Sequence, residues 1–165
     1  MLHLMLMRHG KSDWDAGAPD DHTRPLNERG IRASQRMGVV IRDLGIVPDI
    51  VVSSTATRAR STAEIARLAG GWSSRLVLDG GLYGCSVEDA LTIAAGHGAT
   101  TERVMLVGHQ PVWGMLVRRL TGASTEMKTA SVADIEIQAS AWDELPASHG
   151  IMTQLLQAQA FLTPD

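Results

Sequence analysis

The stretch MLMRHGKS, residues 5–12, decides between two interpretations of this chain. Its last three residues match the end of a nucleotide-binding P-loop, whereas Arg8-His9-Gly10 suits a histidine that handles phosphate. A P-loop needs a glycine five positions before Gly10, where this chain has Met5, and a helix that begins at the Lys-Ser pair. The residues that follow, 13–19, are rich in Asp, Gly and Pro and predict a loop. The P-loop interpretation therefore fails on both tests.

Short apolar runs along the chain predict a buried sheet. Residues 2–7 form a nearly continuous apolar run, which is typical of a strand covered on both faces. Three more runs follow, at 50–52, 76–78 and 104–107. Segments 132–137 and 153–159 alternate loosely between apolar and polar residues, so we predict them as edge strands.

Helical patterns separate these runs, and capping residues mark their ends. Asn27 is placed to cap the first helix, and Ser53, Ser54 or Thr55 the second. Ser86 and Asp89 resemble a capping box before the third. The remaining signals are Pro111 in the first turn of the fourth helix, and the terminators Gly45, Pro48, Gly70, Gly71 and Gly122.

The order β-α-β-α-β-α-β-α-β-β predicts an α/β fold. We expect a three-layer α/β/α sandwich with a mainly parallel sheet. Neither a repeat nor a linker divides the sequence, so we expect a single domain over residues 1–165.

Composition narrows the classes of function. Hydrophobic residues make up 44% and charged residues 20% of the 165, which is typical of a globular protein. The formal charge of −3, without a basic run, predicts neither a nucleic-acid nor a membrane partner. Cys85 is the single cysteine, and the apolar run 2–7 is too short for a signal peptide or a membrane span. We therefore expect a soluble cytoplasmic protein.

Charged and imidazole side chains stand at three predicted strand ends. Arg8 and His9 follow the first strand, Arg58 begins the helix after the second, and His109 follows the fourth. Ligands of parallel α/β sheets gather at the carboxyl ends of the strands, so these four side chains should converge on an anion. A neutral imidazole is a nucleophile near neutral pH, and arginine offers a fork of donors to phosphate oxygens.

The chain resembles the histidine phosphatase superfamily, also called phosphoglycerate mutase-like, and in particular its small SixA-type phosphohistidine phosphatases. The matching stretches are LMRHGKSDW, RPLNERG, SSTATRARSTAE, LYG and VGHQP. The resemblance implies that His9 becomes phosphorylated, that Arg8, Arg58 and His109 hold the phosphoryl group, and that water then releases it. It implies no metal and no cofactor. One departure is Ser54-Thr55, where the family usually has Ser-Pro.

The sequence lacks an acid where larger branches of the superfamily place a proton donor. No Asp or Glu comes just after Leu82, and Asp79, Glu88 and Asp89 are better explained by a turn and a helix start. An alkoxide leaving group needs such a proton, whereas the imidazole of a phosphohistidine is far less basic. We therefore predict a phosphorylated protein, carrying phosphohistidine, as the substrate. The alternatives are a broad phosphomonoesterase acting on small phosphate esters and a binding module that does not hydrolyse phosphohistidine.

Other residues around the predicted site have weaker assignments. Arg24 either assists the phosphate or fixes its loop through Asp20 or Asp21, and the structural role is favoured. The four tryptophans are spread along the chain and predict no stacking platform. The histidines at positions 3, 97 and 149 lack the spacing of metal ligands, so we expect no zinc site. The oligomeric state stays open.

Overall fold

The computed structural model describes residues 1–164 and contains six strands and four α-helices. The strands are β1 (Leu2–Arg8), β2 (Ile50–Ser53), β3 (Arg75–Leu78), β4 (Arg103–Gly108), β5 (Val132–Ile137) and β6 (Gly150–Leu156). The helices are α1 (Glu28–Asp43), α2 (Thr57–Gly70), α3 (Val87–Gly98) and α4 (Val112–Thr121). Short 3₁₀ turns lie at Gly80–Leu82, Trp142–Ala147 and Ala158–Ala160.

The strands form one sheet in the order β3-β2-β4-β1-β5-β6. Strand β5 runs antiparallel to both of its neighbours, while β3, β2, β4 and β1 pair in parallel, so the mainly parallel sheet is confirmed. The prediction of β5 as an edge strand is wrong, because β1 and β6 both pair with it. Strand β6 also starts earlier than predicted, since its pairing with β5 extends back to Gly150 opposite Ile137.

The two faces of the sheet are covered separately, which confirms the three-layer α/β/α architecture. Side chains of α1 and α2 pack with Met5, Met7 and other β1, β2 and β4 residues on one face. Side chains of α3 and α4 pack with Leu4, Leu6 and their neighbours on the other. The alternation of β1 side chains between two apolar layers explains why its sequence reads as a continuous apolar run.

Most of the predicted helix ends are confirmed by the structure. Asn27 accepts a hydrogen bond from the Gly30 amide, and Ser86 and Asp89 form the reciprocal capping box. The predicted cap of α2 is wrong: its N-cap is Ala56, without a side-chain cap. Ser54 Oγ instead accepts from the Ala56 amide at 3.2 Å and so shapes the turn before the helix. Pro111 lies at the N-cap of α4 rather than in its first turn.

Close backbone packing at Gly30 positions the loop that follows β1. A Cβ atom at Gly30 would overlap the backbone of Lys11, and one at Gly10 would lie 2.8 Å from the Gly30 carbonyl oxygen. The Asn27 amide also donates to the Lys11 carbonyl at 2.9 Å. The start of α1 is therefore pressed against the residues that directly follow His9.

Candidate active site

The strand order brings the ends of β2, β4 and β1 together. These three strands are neighbours, and all run in the same direction. The His9 amide donates to the Gly108 carbonyl at 3.0 Å, and the Ser54 amide donates to the Val107 carbonyl at 2.9 Å. These bonds carry the pairing one residue beyond each strand, so His9, Ser54 and His109 emerge at one rim.

A cleft of about 700 Å³ opens at this rim. It is lined by Arg8, His9, Lys11, Ser12, Trp14, Arg24, Arg58, Tyr83, Gly84, His109, Gln110 and Thr129. Every residue that the sequence singled out for the site lines this cleft, including Arg24. Among residues 1–164, the lining includes no aspartate and no glutamate.

The hydrogen bond of His9 defines which ring nitrogen is free to react. Its side chain is buried, and Nδ1 lies 2.7 Å from the carbonyl oxygen of Gly10. A carbonyl only accepts, so Nδ1 carries the proton and Nε2 keeps its lone pair. Burial lowers the pKa of His9 to about 3, against the opposing effect of the Gly10 hydrogen bond. The imidazole is therefore neutral at pH 7, with the lone pair of Nε2 unprotonated.

His109 stands beside His9, with the ring centroids 5.2 Å apart. Its Nε2 atom lies 2.9 Å from Ser54 Oγ, which fixes the ring orientation. Burial, followed by the charge of Arg58, lowers the pKa of His109 to about 4. Two neutral imidazoles thus share the floor of the cleft.

Three arginines surround the histidines with donors that have no protein partner. Within residues 1–164, Nε of Arg8, Nε of Arg58, and both Nε and Nη1 of Arg24 are buried without a hydrogen bond. Arg8 is anchored through Nη1, which donates to the Met127 carbonyl at 2.9 Å. Unpaired buried donors are costly, and a guanidinium fork matches the oxygens of an oxyanion. The cleft can therefore take a tetrahedral anion beside His9.

Asp21 is a residue of the site that the sequence analysis linked only to Arg24. Its carboxylate accepts from Arg24 Nη2 at 3.0 Å, Arg58 Nη2 at 3.0 Å and Tyr83 Oη at 2.8 Å. The Tyr83 and Arg24 hydrogen bonds, with a further contribution from Arg58, hold its pKa well below the usual range. Asp21 is thus ionised and bridges two arginines of the cleft. The repeated DD before HTR is a sequence signal that could have indicated this role.

The stretch after Leu82 places Tyr83 at the cleft, and the nearby acids lie elsewhere. Hydrogen bonding to Asp21 raises the pKa of Tyr83 above its ordinary value. Asp79 accepts from the Gly81 amide and contacts His97, so it serves a turn as predicted. Asp89 is committed to the capping box of α3, and the adjacent Glu88 also lies in the first turn of that helix.

The Ser-Thr departure from the family's usual Ser-Pro supplies a contact to the loop. Thr55 Oγ1 lies 2.9 Å from His22 Nε2, and the Thr57 amide donates to the His22 carbonyl at 2.9 Å. The His22 ring also meets the Tyr83 ring edge-on, with centroids 4.8 Å apart. Thr55 therefore helps to dock the loop that carries Asp21 and Arg24 against the start of α2.

Residues 1–164 contain neither a metal-binding cluster nor a helix suited to span a membrane. Over residues 1–164, no three His, Cys, Asp or Glu side chains are grouped as they would be around a metal ion. Over the same residues, every helix is too short or too polar to cross a bilayer.

The fold and the cleft define a phosphate-handling enzyme of the α/β class, and comparison with known proteins specifies the family. The model of the histidine phosphatase superfamily, branch 1, matches residues 4–90. The chain belongs to this superfamily, and its fold is that of the SixA-type branch.

Individual relatives show how far the similarity extends. A chloroplastic protein of Arabidopsis thaliana, described as uncharacterized, is 28% identical over 89% of this chain and 72% of its own length. A 2,3-bisphosphoglycerate-dependent phosphoglycerate mutase of Nocardia farcinica is 43% identical, but only over 38% of this chain and 26% of the mutase. The structure of a Nakamurella SixA assigned as a phosphohistidine phosphatase superposes with a TM-score of 0.81 and 27% identity, covering 94% of this chain and 95% of that one. These similarities support a phosphatase.

Proposed function

We propose that this protein is a phosphatase that works through phosphorylated His9 and removes phosphate from protein phosphohistidine. The observation that carries the proposal is a neutral His9, its Nδ1 proton held by Gly10, in a cleft lined with unpaired arginine donors and without a carboxyl group. The neutral ring supports His9 as the nucleophile, and the unpaired arginine donors support a bound phosphoryl group. The lack of a carboxyl group supports a leaving group that needs no strong acid.

In the proposed first step, Nε2 of His9 attacks phosphorus while the bond to the leaving group breaks. The departing atom keeps the electron pair of that bond. Arg8, Arg58 and His109 hold the equatorial oxygens, whose charge they stabilise in the transition state. Water then attacks phospho-His9, the N–P bond breaks with its electron pair returning to Nε2, and inorganic phosphate leaves. None of these steps needs a metal or a cofactor.

Arg24 is proposed as a third arginine of the phosphate site. One of its nitrogens, Nη2, is committed to Asp21, as the sequence analysis expected for a structural role. Its Nε and Nη1 atoms are buried without a partner among residues 1–164, and the side chain lines the cleft. The guanidinium thus keeps two donors that the contact with the loop does not use, so the two roles proposed from the sequence are combined.

The substrate proposal rests on proton supply. A general acid typically contributes about 10²–10⁴-fold when an alkoxide leaves. The Asp21 carboxyl is held ionised by its partners, and the pKa of Tyr83 is raised, so neither is a strong proton donor. An imidazole leaving group is less basic and can be protonated before the bond breaks. The site therefore suits a phosphoramidate better than an alkyl ester.

The test is to compare the turnover of a phosphohistidine-bearing protein with that of an alkyl phosphate, and to trap the enzyme during turnover. We expect faster cleavage of phosphohistidine and an acid-labile phosphate on wild-type enzyme. The His9→Ala variant should lose both the label and the turnover, whereas His149→Asn, at an exposed histidine, should keep them.

The other outcomes separate the alternatives. Faster cleavage of the alkyl ester would favour a broad phosphomonoesterase. Phosphohistidine binding without turnover or label would instead favour a binding module.

A further inference from the structure

Trp14 is an exposed aromatic side chain on the wall of the cleft. It is 77% exposed, whereas Trp72, Trp113 and Trp142 are buried. Large aromatic side chains are normally buried to a high degree, and an exposed one next to a polar site is a candidate for ligand contact. The four tryptophans are spread along the sequence and predict no stacking platform, but the fold places one of them, Trp14, at the cleft.

The ring of Trp14 is held on one side and open on the other. The Arg24 guanidinium carbon lies 3.6 Å from the ring centroid, so one face is covered by a cation. The backbone before the ring is also fixed: Ser12 bridges Leu26, and the Asp13 amide donates to the Pro25 carbonyl at 2.9 Å. The exposed fraction of the side chain shows that its other surface meets solvent.

The in-line geometry of phosphoryl transfer directs the leaving group toward the open part of the cleft. In an in-line displacement the leaving group lies opposite the nucleophile. His9 is buried at the floor, so the leaving group points away from the floor toward the mouth of the cleft, whose lining includes the exposed Trp14. Tyr83 also lines the cleft, but its hydroxyl is bound to Asp21 and its ring is in T-shaped contact with both His22 and His109. Of these two rings Trp14 is the more exposed, at 77% against 39% for Tyr83.

We infer that Trp14 is a specificity-determining residue, whose free face stacks on a planar, unsaturated leaving group such as the imidazole of phosphohistidine. This inference deepens the proposed function and rests on it for the identity of the ring. Stacking requires a flat partner, so an alkyl group gains little from it. Arg24 joins this platform to the proposed phosphate site, because the guanidinium that packs on the indole also lines the cleft and keeps two unpaired nitrogens.

The test measures binding, so that it does not depend on turnover. The dissociation constants of phenylphosphonate and methylphosphonate are determined by calorimetry for wild type, Trp14→Ala and Trp14→Phe. The matched control is Leu68→Ala, which removes another highly exposed apolar side chain. From the strength of aromatic pairs in proteins, we expect Trp14→Ala to weaken the binding of phenylphosphonate about three- to tenfold. The dissociation constant of methylphosphonate should change less than twofold. Trp14→Phe should recover much of the affinity for phenylphosphonate that Trp14→Ala loses.

Two results would overturn the inference. Equal weakening of both phosphonates would show that Trp14 acts only through Arg24, and unchanged binding of both would show that it contacts no ligand. The proposed function is judged separately by phosphohistidine turnover of the wild type. If phenylphosphonate shows the selective loss but phosphohistidine is not cleaved, the platform stands and the substrate assignment fails.

Discussion

Asp21 holds Arg58 at two points, with the Asp21 carbonyl accepting from Nη1 at 2.7 Å and the carboxylate accepting from Nη2 at 3.0 Å. This bidentate contact occupies one edge of the guanidinium and leaves Nε unpaired among residues 1–164. An acidic residue thus determines which edge of Arg58, the proposed phosphate-binding arginine, is free. The negative charge lies at the Nη1–Nη2 end of the Arg58 guanidinium, where it orients the side chain.

Replacement of Asp21 tests this orienting role. We expect Asp21→Ala to lower kcat/KM for phosphohistidine about tenfold or more, because one charge-assisted hydrogen bond to Arg58 and one to Arg24 are lost. Asp21→Asn should lower kcat/KM less, since its amide oxygen still accepts a hydrogen bond from an arginine. Asp43→Ala, at an exposed aspartate paired with Arg42, is the control. Tighter phosphate binding with undiminished kcat/KM in Asp21→Ala would instead show that Asp21 competes with the anion.

The second prediction concerns the anion contact of Arg24. Charge-assisted hydrogen bonds contribute about 1.5–3 kcal/mol, so Arg24→Ala should weaken inorganic phosphate binding roughly 10- to 100-fold. Arg24→Lys keeps the charge but loses the fork, and it should recover only part of the affinity. Phosphate inhibition constants measure both effects, with the exposed Arg42→Ala as control. An unchanged constant in Arg24→Ala would assign Arg24 to the loop alone.

The third prediction concerns stability in acid. The folded-state pKa of His9, about 3, lies below the unfolded value of about 6.5, so the unfolded chain binds the proton first. The stabilisation that comes from keeping His9 neutral in the folded state is complete above pH 6.5 and is lost progressively as the pH falls toward 3. At pH 5 this loss is about 2 kcal/mol in the free energy of unfolding. His109 acts in the same direction between pH 6.5 and about 4.

Urea unfolding between pH 4.5 and 7.5 measures this dependence. The free energy of unfolding of His9→Asn should fall less steeply with acid than that of wild type. His149→Asn, at an exposed histidine, should follow wild type. Parallel curves for wild type and His9→Asn would contradict the lowered pKa of His9.

The fourth prediction tests the packing beneath the loop after β1. Gly30→Ala adds a methyl group that overlaps the Lys11 backbone, so we expect a loss of about 1–3 kcal/mol in the free energy of unfolding, with reduced activity. Gly96→Ala is the matched control, because it lies in α3 with no atom within 4 Å of the new Cβ. It should be neutral or stabilise by up to about 1 kcal/mol. Equal effects of the two substitutions would disprove close packing at Gly30.

The elements of the fold were largely predictable because their signals are local. Asn27 and the Ser86–Asp89 pair mark helix starts through bonds that span three residues, and β1 reads as buried because both of its faces are apolar. The cap of α2 was mispredicted, since Ser54 is recruited by the Ala56 amide and by His109. The position of β5 inside the sheet depends on pairing with β6, which no local pattern specifies.

The sequence by itself determined the α/β class. It also placed Arg8, His9, Arg58 and His109 at strand ends and at a helix start, because periodicity and strand ends depend on residues that are neighbours in the chain. Only the tertiary structure decided the rest of the cleft. The docking of the loop against α2 turns Asp21 onto Arg58, and the bridge of Ser12 to Leu26 sets Trp14 beside Arg24. These contacts depend on side-chain directions and loop packing across long sequence separations. Such geometry follows from the folded chain as a whole.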